Sequence, residues 1–133
     1  MDITVDVGNY KLNVRVAGII IHNNKLLVHK DINSDHYALI GGRVKIGEDS
    51  ESAVKRELQE ELGITVTDQT EALAFTYEYP TKKIDFVIYE VFAFDNIPRG
   101  MESQVVSWVN KEDLKDLQFP EANQRMIEYI LNR

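Results

Sequence analysis

The sequence predicts a mixed α/β fold, in which a β-sheet of mixed strand direction is flanked by helices. Runs of β-branched residues dominate the chain. The apolar spacing changes to a helical period in only two places, near the middle and at the end. The 133 residues suit one domain, and no repeat, low-complexity tract or linker indicates a boundary. We therefore expect one sheet with helices packed against it.

Four strands are expected before the central helix. The first two are rich in β-branched residues and are separated by Gly8 and Asn9, a pair typical of tight turns. The fourth strand runs into Gly41 and Gly42, which can adopt backbone angles closed to other residues. The expected strands cover residues 3–7, 10–21, 25–29 and 37–40.

One long helix is expected in the middle of the chain. Val54, Leu58 and Leu62 fall four residues apart and form one apolar stripe, and Gly63 follows at the position of a C-terminal cap. Acidic residues crowd the expected start at Ser50, where the helix dipole favours negative charge. The spacing therefore predicts a helix from Ser50 to the residue before Gly63.

A hairpin, a further strand and a second helix are expected after the central helix. The hairpin turns at residues 80–83, and a loop with Pro98 and Gly100 follows it. The expected strands cover residues 72–79, 84–94 and 105–109, with a helical turn at 112–117 and a helix at 121–131. Trp108 is expected in the core. The three histidines show no metal-ligand spacing and are expected to be structural or surface residues.

Charge and cysteine content exclude several classes of protein. A net charge of −7 disfavours nucleic-acid binding through a basic surface, because it repels phosphate unless cations intervene. The absence of cysteine excludes a disulfide framework, a thiolate nucleophile and cysteine-ligated metals. The most apolar run, residues 14–21, is too short to span a membrane, and no secretory signal is visible at the start. A cytoplasmic protein without a membrane partner is therefore expected.

Three acids lie beside the apolar stripe of the central helix. Glu57, Glu60 and Glu61 are three and four residues apart and project from one arc of the surface. Like charges this close are costly unless cations neutralise them, and Mg²⁺ prefers such oxygen ligands. Arg56 could hold one carboxylate by charge-assisted hydrogen bonds. Since a charged helix is more often only a solvated surface, the interpretation depends on the wider spacing.

The segment from Gly42 to Ile64 resembles the Nudix box. That pattern reads Gly, five residues, Glu, seven residues, Arg-Glu, an aliphatic, any residue, Glu-Glu, any residue, Gly and an aliphatic. The matching residues are Gly42, Glu48, Arg56, Glu57, Leu58, Glu60, Glu61, Gly63 and Ile64. The number of matches to this pattern expected by chance in a chain of this length is on the order of 10⁻⁸. The chain therefore resembles MutT-like Nudix hydrolases, and its expected strands fit the α/β/α sandwich of that family.

The resemblance implies a pyrophosphohydrolase. In this family, water attacks a phosphorus of the diphosphate bridge in a nucleoside diphosphate derivative, with Mg²⁺ or Mn²⁺ bound. The implied metal ligands are Glu57, Glu60, Glu61 and the backbone carbonyl of Gly41. Arg56 would orient Glu57, and Glu48 would make an outer contact with metal or water. The general base stays open between Glu57 and Glu102.

Substrate-binding residues are suggested outside the box. Residues 119–123 resemble a segment of MutT-type nucleoside triphosphate pyrophosphohydrolases in which the Asn reads a purine edge, although Asn123 could instead cap or begin the last helix. Arg15 interrupts an apolar strand, so it either faces solvent or enters the cleft to meet phosphate. Tyr79 is an imperfect marker of dinucleoside polyphosphate hydrolases, and hairpin aromatics more often only pack. The candidate substrate residues are Arg15, Gly42, Tyr79 and Asn123.

Several functional alternatives stay open. The nucleotide could be a nucleoside triphosphate, ADP-ribose or a dinucleoside polyphosphate. The chain could also hydrolyse a non-nucleotide diphosphate, or be a catalytically silent nucleotide-binding module, although the box has lost no acid. Residues 48–61 hold six acids and two bases, so most of the net negative charge lies at the expected metal site. A small nucleotide is therefore the expected partner, rather than nucleic acid, and a homodimer is possible.

Overall fold

The computed structural model describes residues 3–7 and 10–132. Within these residues the fold is a seven-stranded mixed sheet with a helix against each face. The strands are β1 (Thr4–Val7), β2 (Tyr10–His22), β3 (Lys25–Lys30), β4 (Ile40–Arg43), β5 (Thr65–Glu78), β6 (Lys82–Asp95) and β7 (Val105–Asn110). The helices are α1 (Ser50–Leu62) and α2 (Asn123–Leu131), with a 3-10 helix at Lys111–Asp116. None of the helices in these residues has the length and apolar character needed to cross a membrane.

Strand β2 is the centre of the sheet, whose main order is β5-β6-β2-β3-β7. Residues 11–20 of β2 run parallel to residues 82–91 of β6. Along its other edge, β2 pairs antiparallel first with β1 and then with β4, where residues 15–18 face residues 40–43. This register places Gly41 and Gly42 beside the middle of the central strand.

Two apolar clusters fill the two sides of the sheet. Because side chains alternate along a strand, Ile19 of β2 packs on the α2 side and Ile20 packs on the α1 side. Helix α1 buries the predicted stripe of Val54, Leu58 and Leu62, with Leu58 fully inaccessible. Burial of one such leucine stabilises the fold by about 1.5–3 kcal/mol. The predicted mixed sheet flanked by helices is therefore confirmed.

Both ends of α1 lie where the sequence predicts them. The Asp49 side chain accepts a hydrogen bond of 2.7 Å from the Ser52 N–H, as an N-cap residue should. Gly63 ends the helix with a φ of 71°, a left-handed conformation that favours glycine, and donates its N–H to the Gln59 carbonyl. Local signals therefore fix the helix that carries the acids.

The fourth strand lies later than predicted. Residues 37–40 were expected to form it, but Ala38 makes only an isolated bridge to His29, and β4 begins at the last residue of the expected range. The pairing with β2 needs small residues, because a Cβ on Gly41 would collide with the Val16 carbonyl oxygen. Close packing against a distant strand therefore decides the position of β4.

Other boundaries were also wrong, and strand β6 begins at Lys82 rather than at residue 84. Strand β5 begins at Thr65 rather than at residue 72, and its first half is largely exposed and bulged against β6. The last helix begins at Asn123 rather than at residue 121. Thr65 and Val66 are β-branched, but the polar residues 67–71 interrupt the apolar pattern of β5, and no side chain caps the start of α2.

Trp108 is not a core residue. Its side chain is 38% exposed, and its ring lies 6.2 Å from the ring of His22, which is itself exposed. The core prediction was therefore wrong, because the β7 side chain at this position faces outward. The turn predicted at Gly8 and Asn9 lies outside the residues that the structure describes.

Candidate active site

A cleft of about 500 Å³ opens between β2, β4, the start of β6 and the segment that leads into α2. The candidate substrate residues Arg15, Gly42, Tyr79 and Asn123 all line it. The α1 acids border the cleft through Gly42, where an added Cβ would lie within 2.5 Å of both carboxylate oxygens of Glu57. The cleft and the acid cluster therefore meet at the glycine pair of β4.

Arg56 connects the acids of the site. Its Nε and Nη2 donate to the two carboxylate oxygens of Glu48 at 2.7 and 3.0 Å. Its Nη1 donates to Glu57 at 2.8 Å and to Glu60 at 3.2 Å, and its Nη2 also reaches the Arg43 carbonyl at 3.0 Å. The hydrogen bond expected between Arg56 and Glu57 is therefore present, and one guanidinium fixes three carboxylates.

Glu48 lies against Arg56. Besides its two bonds to the guanidinium, it accepts a hydrogen bond of 3.1 Å from the Lys45 N–H. The hydrogen bond with Arg56 is the main cause that lowers the pKa of Glu48. Glu48 is therefore ionised and serves, in this arrangement, as the anchor of the arginine.

Glu61 is the most perturbed acid of the cluster. Its Oε2 is buried and finds no hydrogen-bond partner in the part of the chain that the structure describes. Burial, followed by the charges of Glu57, Glu102 and Glu60, raises the pKa of Glu61 to about 8. A buried carboxylate oxygen without a partner is costly, so this position calls for a proton or a cation.

The acid cluster fits a divalent metal ion. A cation would give the orphaned oxygen of Glu61 a partner and would offset the mutual repulsion of the acids. Across residues 3–7 and 10–132, no three acidic or histidine side chains already surround one point closely enough to hold an ion. Arg56 bonds one oxygen of Glu57 and one oxygen of Glu60, so the second oxygen of each carboxylate is not bonded to the guanidinium.

Glu102 joins the acids of α1 from a separate loop. It is exposed, and its charge raises the pKa of both Glu57 and Glu61. Its N–H donates a hydrogen bond of 2.8 Å to the side chain of Gln104. The two candidates for the general base therefore lie within electrostatic reach of each other.

Asn123 is the first residue of α2 and does not cap it. The N-cap residue is Ala122, and the Asn123 Oδ1 instead accepts a hydrogen bond of 3.3 Å from the Leu39 N–H. Asn123 therefore begins the helix without capping it, and its contact with a purine edge stays a prediction. Arg15 lines the cleft with its Nε buried, so it does not simply face solvent.

Two residues that line the cleft were missed by the sequence analysis. Lys82 was assigned to a turn, but its Nζ lies 4.6 Å from the ring centre of Tyr79. His29 was treated as structural, yet it lines the cleft, and burial lowers its pKa. The two rings of Tyr77 and Tyr79 lie 4.8 Å apart. No local pattern marks Lys82 or His29, because only the pairing of distant strands brings them to the cleft.

The raised pKa of Glu61 predicts how the stability of the metal-free protein depends on pH. The folded state holds the Glu61 proton up to about pH 8, whereas the ordinary carboxyl value is 4.5. The contribution of the Glu61 proton to the free energy of unfolding is therefore fully present below pH 4.5 and is lost as the pH rises toward 8. Urea unfolding in a chelator should show a steeper loss of stability with pH in the wild type than in Glu61→Gln.

The comparison with Glu61→Gln isolates this residue. The lowered pKa of His29 acts in the opposite direction, and the raised pKa of Glu57 acts in the same direction, but both are common to the two proteins. Parallel stability curves for the wild type and Glu61→Gln between pH 5 and pH 8 would contradict the prediction.

Known proteins share both this fold and this sequence pattern. Residues 12–130 match the family model described as NUDIX domain. The chain is 44% identical over 92 residues to the 8-oxo-dGTP diphosphatase of Haemophilus influenzae, covering 69% of this chain and 68% of the relative. It is 33% identical over 121 residues to the protein of the same name from Escherichia coli, covering 88% of this chain and 94% of the relative.

A solved structure agrees with these relatives. It comes from a study of MutT from Aliivibrio salmonicida and Vibrio cholerae, shares 34% sequence identity with this chain and superposes with a TM-score of 0.81. The alignment covers 91% of this chain and 98% of that chain. The chain therefore belongs to the NUDIX family and is a MutT-like Nudix hydrolase.

Proposed function

We propose that this protein is a Mg²⁺- or Mn²⁺-dependent pyrophosphohydrolase that cleaves the diphosphate bridge of a nucleoside diphosphate derivative. The observation that carries the proposal is the close approach of the Glu57 carboxylate to Gly42, which lines the cleft. A nucleoside triphosphate with an oxidised purine is the first candidate substrate, because the relatives from Haemophilus influenzae and Escherichia coli are named 8-oxo-dGTP diphosphatases. ADP-ribose and dinucleoside polyphosphates remain the other nucleotide candidates.

The metal would be held by the side chains of α1 and the adjacent strand. The proposed ligands are Glu57, Glu60, Glu61 and the carbonyl of Gly41. When bound, a divalent cation supplies charge neutralisation at the diphosphate and lowers the pKa of water. Arg56, held by its two bonds to Glu48, would keep Glu57 and Glu60 in a defined orientation through its Nη1.

The chain's own acids handle the proton of the attacking water. As the water oxygen forms its bond to phosphorus, the water proton passes to the carboxylate of Glu57 or Glu102. The bridging P–O bond then breaks, and the leaving phosphate takes the electron pair of that bond. Arg15, which lines the cleft, supplies positive charge for the phosphate groups. These steps need orientation and charge more than covalent chemistry.

The other end of the cleft would bind the nucleobase of the substrate. The Asn123 Oδ1 already accepts from Leu39, so its amide nitrogen keeps two donor hydrogens for an acceptor on a purine edge. Tyr79 lines the same cleft, with the Lys82 Nζ over its ring. The proposed preference for a purine rests on the resemblance of residues 119–123 to the MutT-type segment.

A hydrolysis screen tests this proposal. The purified protein is mixed with 8-oxo-dGTP, dGTP, dCTP, ADP-ribose, diadenosine tetraphosphate and isopentenyl diphosphate, each with Mg²⁺, Mn²⁺ or a chelator. Chromatography of the phosphorylated products follows every compound, since only the triphosphates can release pyrophosphate, whereas ADP-ribose and diadenosine tetraphosphate give mononucleotides or shorter nucleotides. We expect metal-dependent cleavage, with the highest kcat/KM for a purine triphosphate. Melting shifts without cleavage of any compound would instead indicate a binding module, and cleavage of the isoprenoid compound alone would indicate a non-nucleotide hydrolase.

Other expectations stay proposals beside this one. They are a single domain over residues 1–133, a cytoplasmic location, the absence of nucleic-acid and membrane partners, and a possible homodimer. Sedimentation of the purified protein at micromolar concentration measures the oligomeric state directly.

A further inference from the structure

The loop before β7 is tied to the C-terminal end of α1. The Arg99 N–H donates to the Leu62 carbonyl at 3.1 Å, and the Met101 N–H donates to the Glu61 carbonyl at 3.0 Å. Carbonyls in the last turn of a helix have no partner within the helix, so these bonds satisfy them. The loop that carries Glu102 therefore has a fixed starting point beside the acid cluster.

Gln104 makes a second connection between the same two elements. Its Nε2 donates to the Glu61 carbonyl at 2.9 Å, and its Oε1 accepts from the Glu102 N–H at 2.8 Å. Ser103 between them has a φ of 64°, which turns the chain so that the Gln104 side chain reaches back to Glu102. One partly buried amide therefore holds the backbone of a helix acid and the backbone of the loop acid together.

Capping of the helix does not by itself account for Gln104. The Glu61 carbonyl already accepts the Met101 N–H, so the helix end is satisfied without the glutamine. The bond to Glu102 lies outside the helix and fixes a residue whose charge acts on Glu57 and Glu61. The placement of the amide thus serves the position of Glu102 more directly than the stability of α1.

We propose that Gln104 is a positioning residue, which holds Glu102 within the acid cluster through its bonds to the Glu61 carbonyl and the Glu102 N–H. This inference rests on the proposed hydrolase function. Loss of the amide would let Glu102 move away from the site, which matters equally if Glu102 accepts the water proton or helps to attract the metal. Removal of a residue that orients a functional group typically costs 10- to 100-fold in activity or metal affinity.

A double-mutant cycle tests the inference. The variants are Gln104→Ala, Glu102→Gln and the two combined, assayed on the best substrate of the wild type. We expect Gln104→Ala to lower kcat by about 10- to 100-fold, with a KM close to the wild type because the cleft is unchanged. In the Glu102→Gln background, the same substitution should change kcat less than threefold, since the residue that it positions is already inactive.

Mn²⁺ binding gives a readout that does not depend on turnover. Titration followed by electron paramagnetic resonance should show weaker Mn²⁺ binding in both single variants and no further weakening when they are combined, because the Glu102 charge attracts the cation only when it is held nearby. Gln59→Ala is the matched control. The Gln59 side chain of α1 accepts a hydrogen bond from Thr65, and this bond does not involve Glu102. Its kcat and Mn²⁺ affinity should equal those of the wild type.

The outcomes separate this inference from the function on which it rests. The inference would be overturned if the combined variant lost kcat and Mn²⁺ affinity by the product of the two single-variant losses. It would also be overturned if the losses in Gln104→Ala disappeared at a temperature where this variant is fully folded. If that variant does not fold, Gln104→Met keeps the side-chain volume without the amide and is used in the same cycle. A wild type that binds Mn²⁺ but hydrolyses no diphosphate contradicts the proposed function, and the binding cycle still tests the position of Glu102.

Discussion

Glu57→Gln is expected to lower kcat by about a thousandfold while the protein remains folded. The substitution removes the charge of one proposed metal ligand, which is also a candidate general base. It keeps the side-chain shape and an oxygen that can still accept the 2.8 Å hydrogen bond from Arg56. Because Glu57 lies beside the buried stripe of α1 and is not part of it, its neutralisation should spare the core. Single-turnover kinetics and thermal melting measure the two effects separately.

The matched control for Glu57→Gln is Glu51→Gln. Glu51 is an exposed acid in the first turn of the same helix, so this variant changes the helix charge equally but leaves the cluster intact. Glu60→Gln, at a site that is 52% exposed, should resemble Glu57→Gln in activity. Activity in Glu57→Gln and Glu60→Gln close to that of Glu51→Gln would contradict the assigned roles. A larger effect in Glu102→Gln than in Glu57→Gln would assign the base to the loop.

Helix α1 could be predicted from the sequence because its determinants are local. The stripe of Val54, Leu58 and Leu62, the cap at Asp49 and the left-handed Gly63 lie within one short segment. Each signal acts through neighbouring residues, so no knowledge of the rest of the fold is needed. The acids of the Nudix box share this segment, which explains why the candidate metal ligands were also found.

The cleft could be predicted only in part, because distant strands form it. The position of β4 depends on its pairing with β2 across Gly41, and Lys82 reaches the cleft only through the parallel pairing of β6 with β2. Gln104 carries no sequence signal at all, since its role arises from a loop that folds back on α1. The resemblance to the family identified Asn123 as a candidate site residue, whereas Lys82 and His29 could be recognised only in the tertiary structure.

Gly42→Ala is expected to abolish most activity with little loss of stability. The added Cβ would lie within 2.5 Å of both Glu57 carboxylate oxygens, and a flexible side-chain end is the group that must move. Rotation of this carboxylate relieves the overlap at small cost to the fold, but it takes Glu57 away from Arg56 and from the proposed metal. A displacement of about 1 Å at a catalytic group can cost on the order of 100-fold in rate.

The effect of Gly42→Ala should act through Glu57, which a combined variant checks. Adding Gly42→Ala to Glu57→Gln should lower kcat little further, because the carboxylate that the methyl group displaces no longer contributes. Gly47→Ala is the control for a glycine substitution in the neighbouring loop. Among the described residues, none beyond its chain neighbours has an atom within 4 Å of the added Cβ. The φ of Gly47 is 85°, which is unfavourable for alanine, so this substitution should lower stability and leave activity unchanged. Full activity in Gly42→Ala, or an equal loss in both backgrounds, would show that the Gly42 contact does not control Glu57.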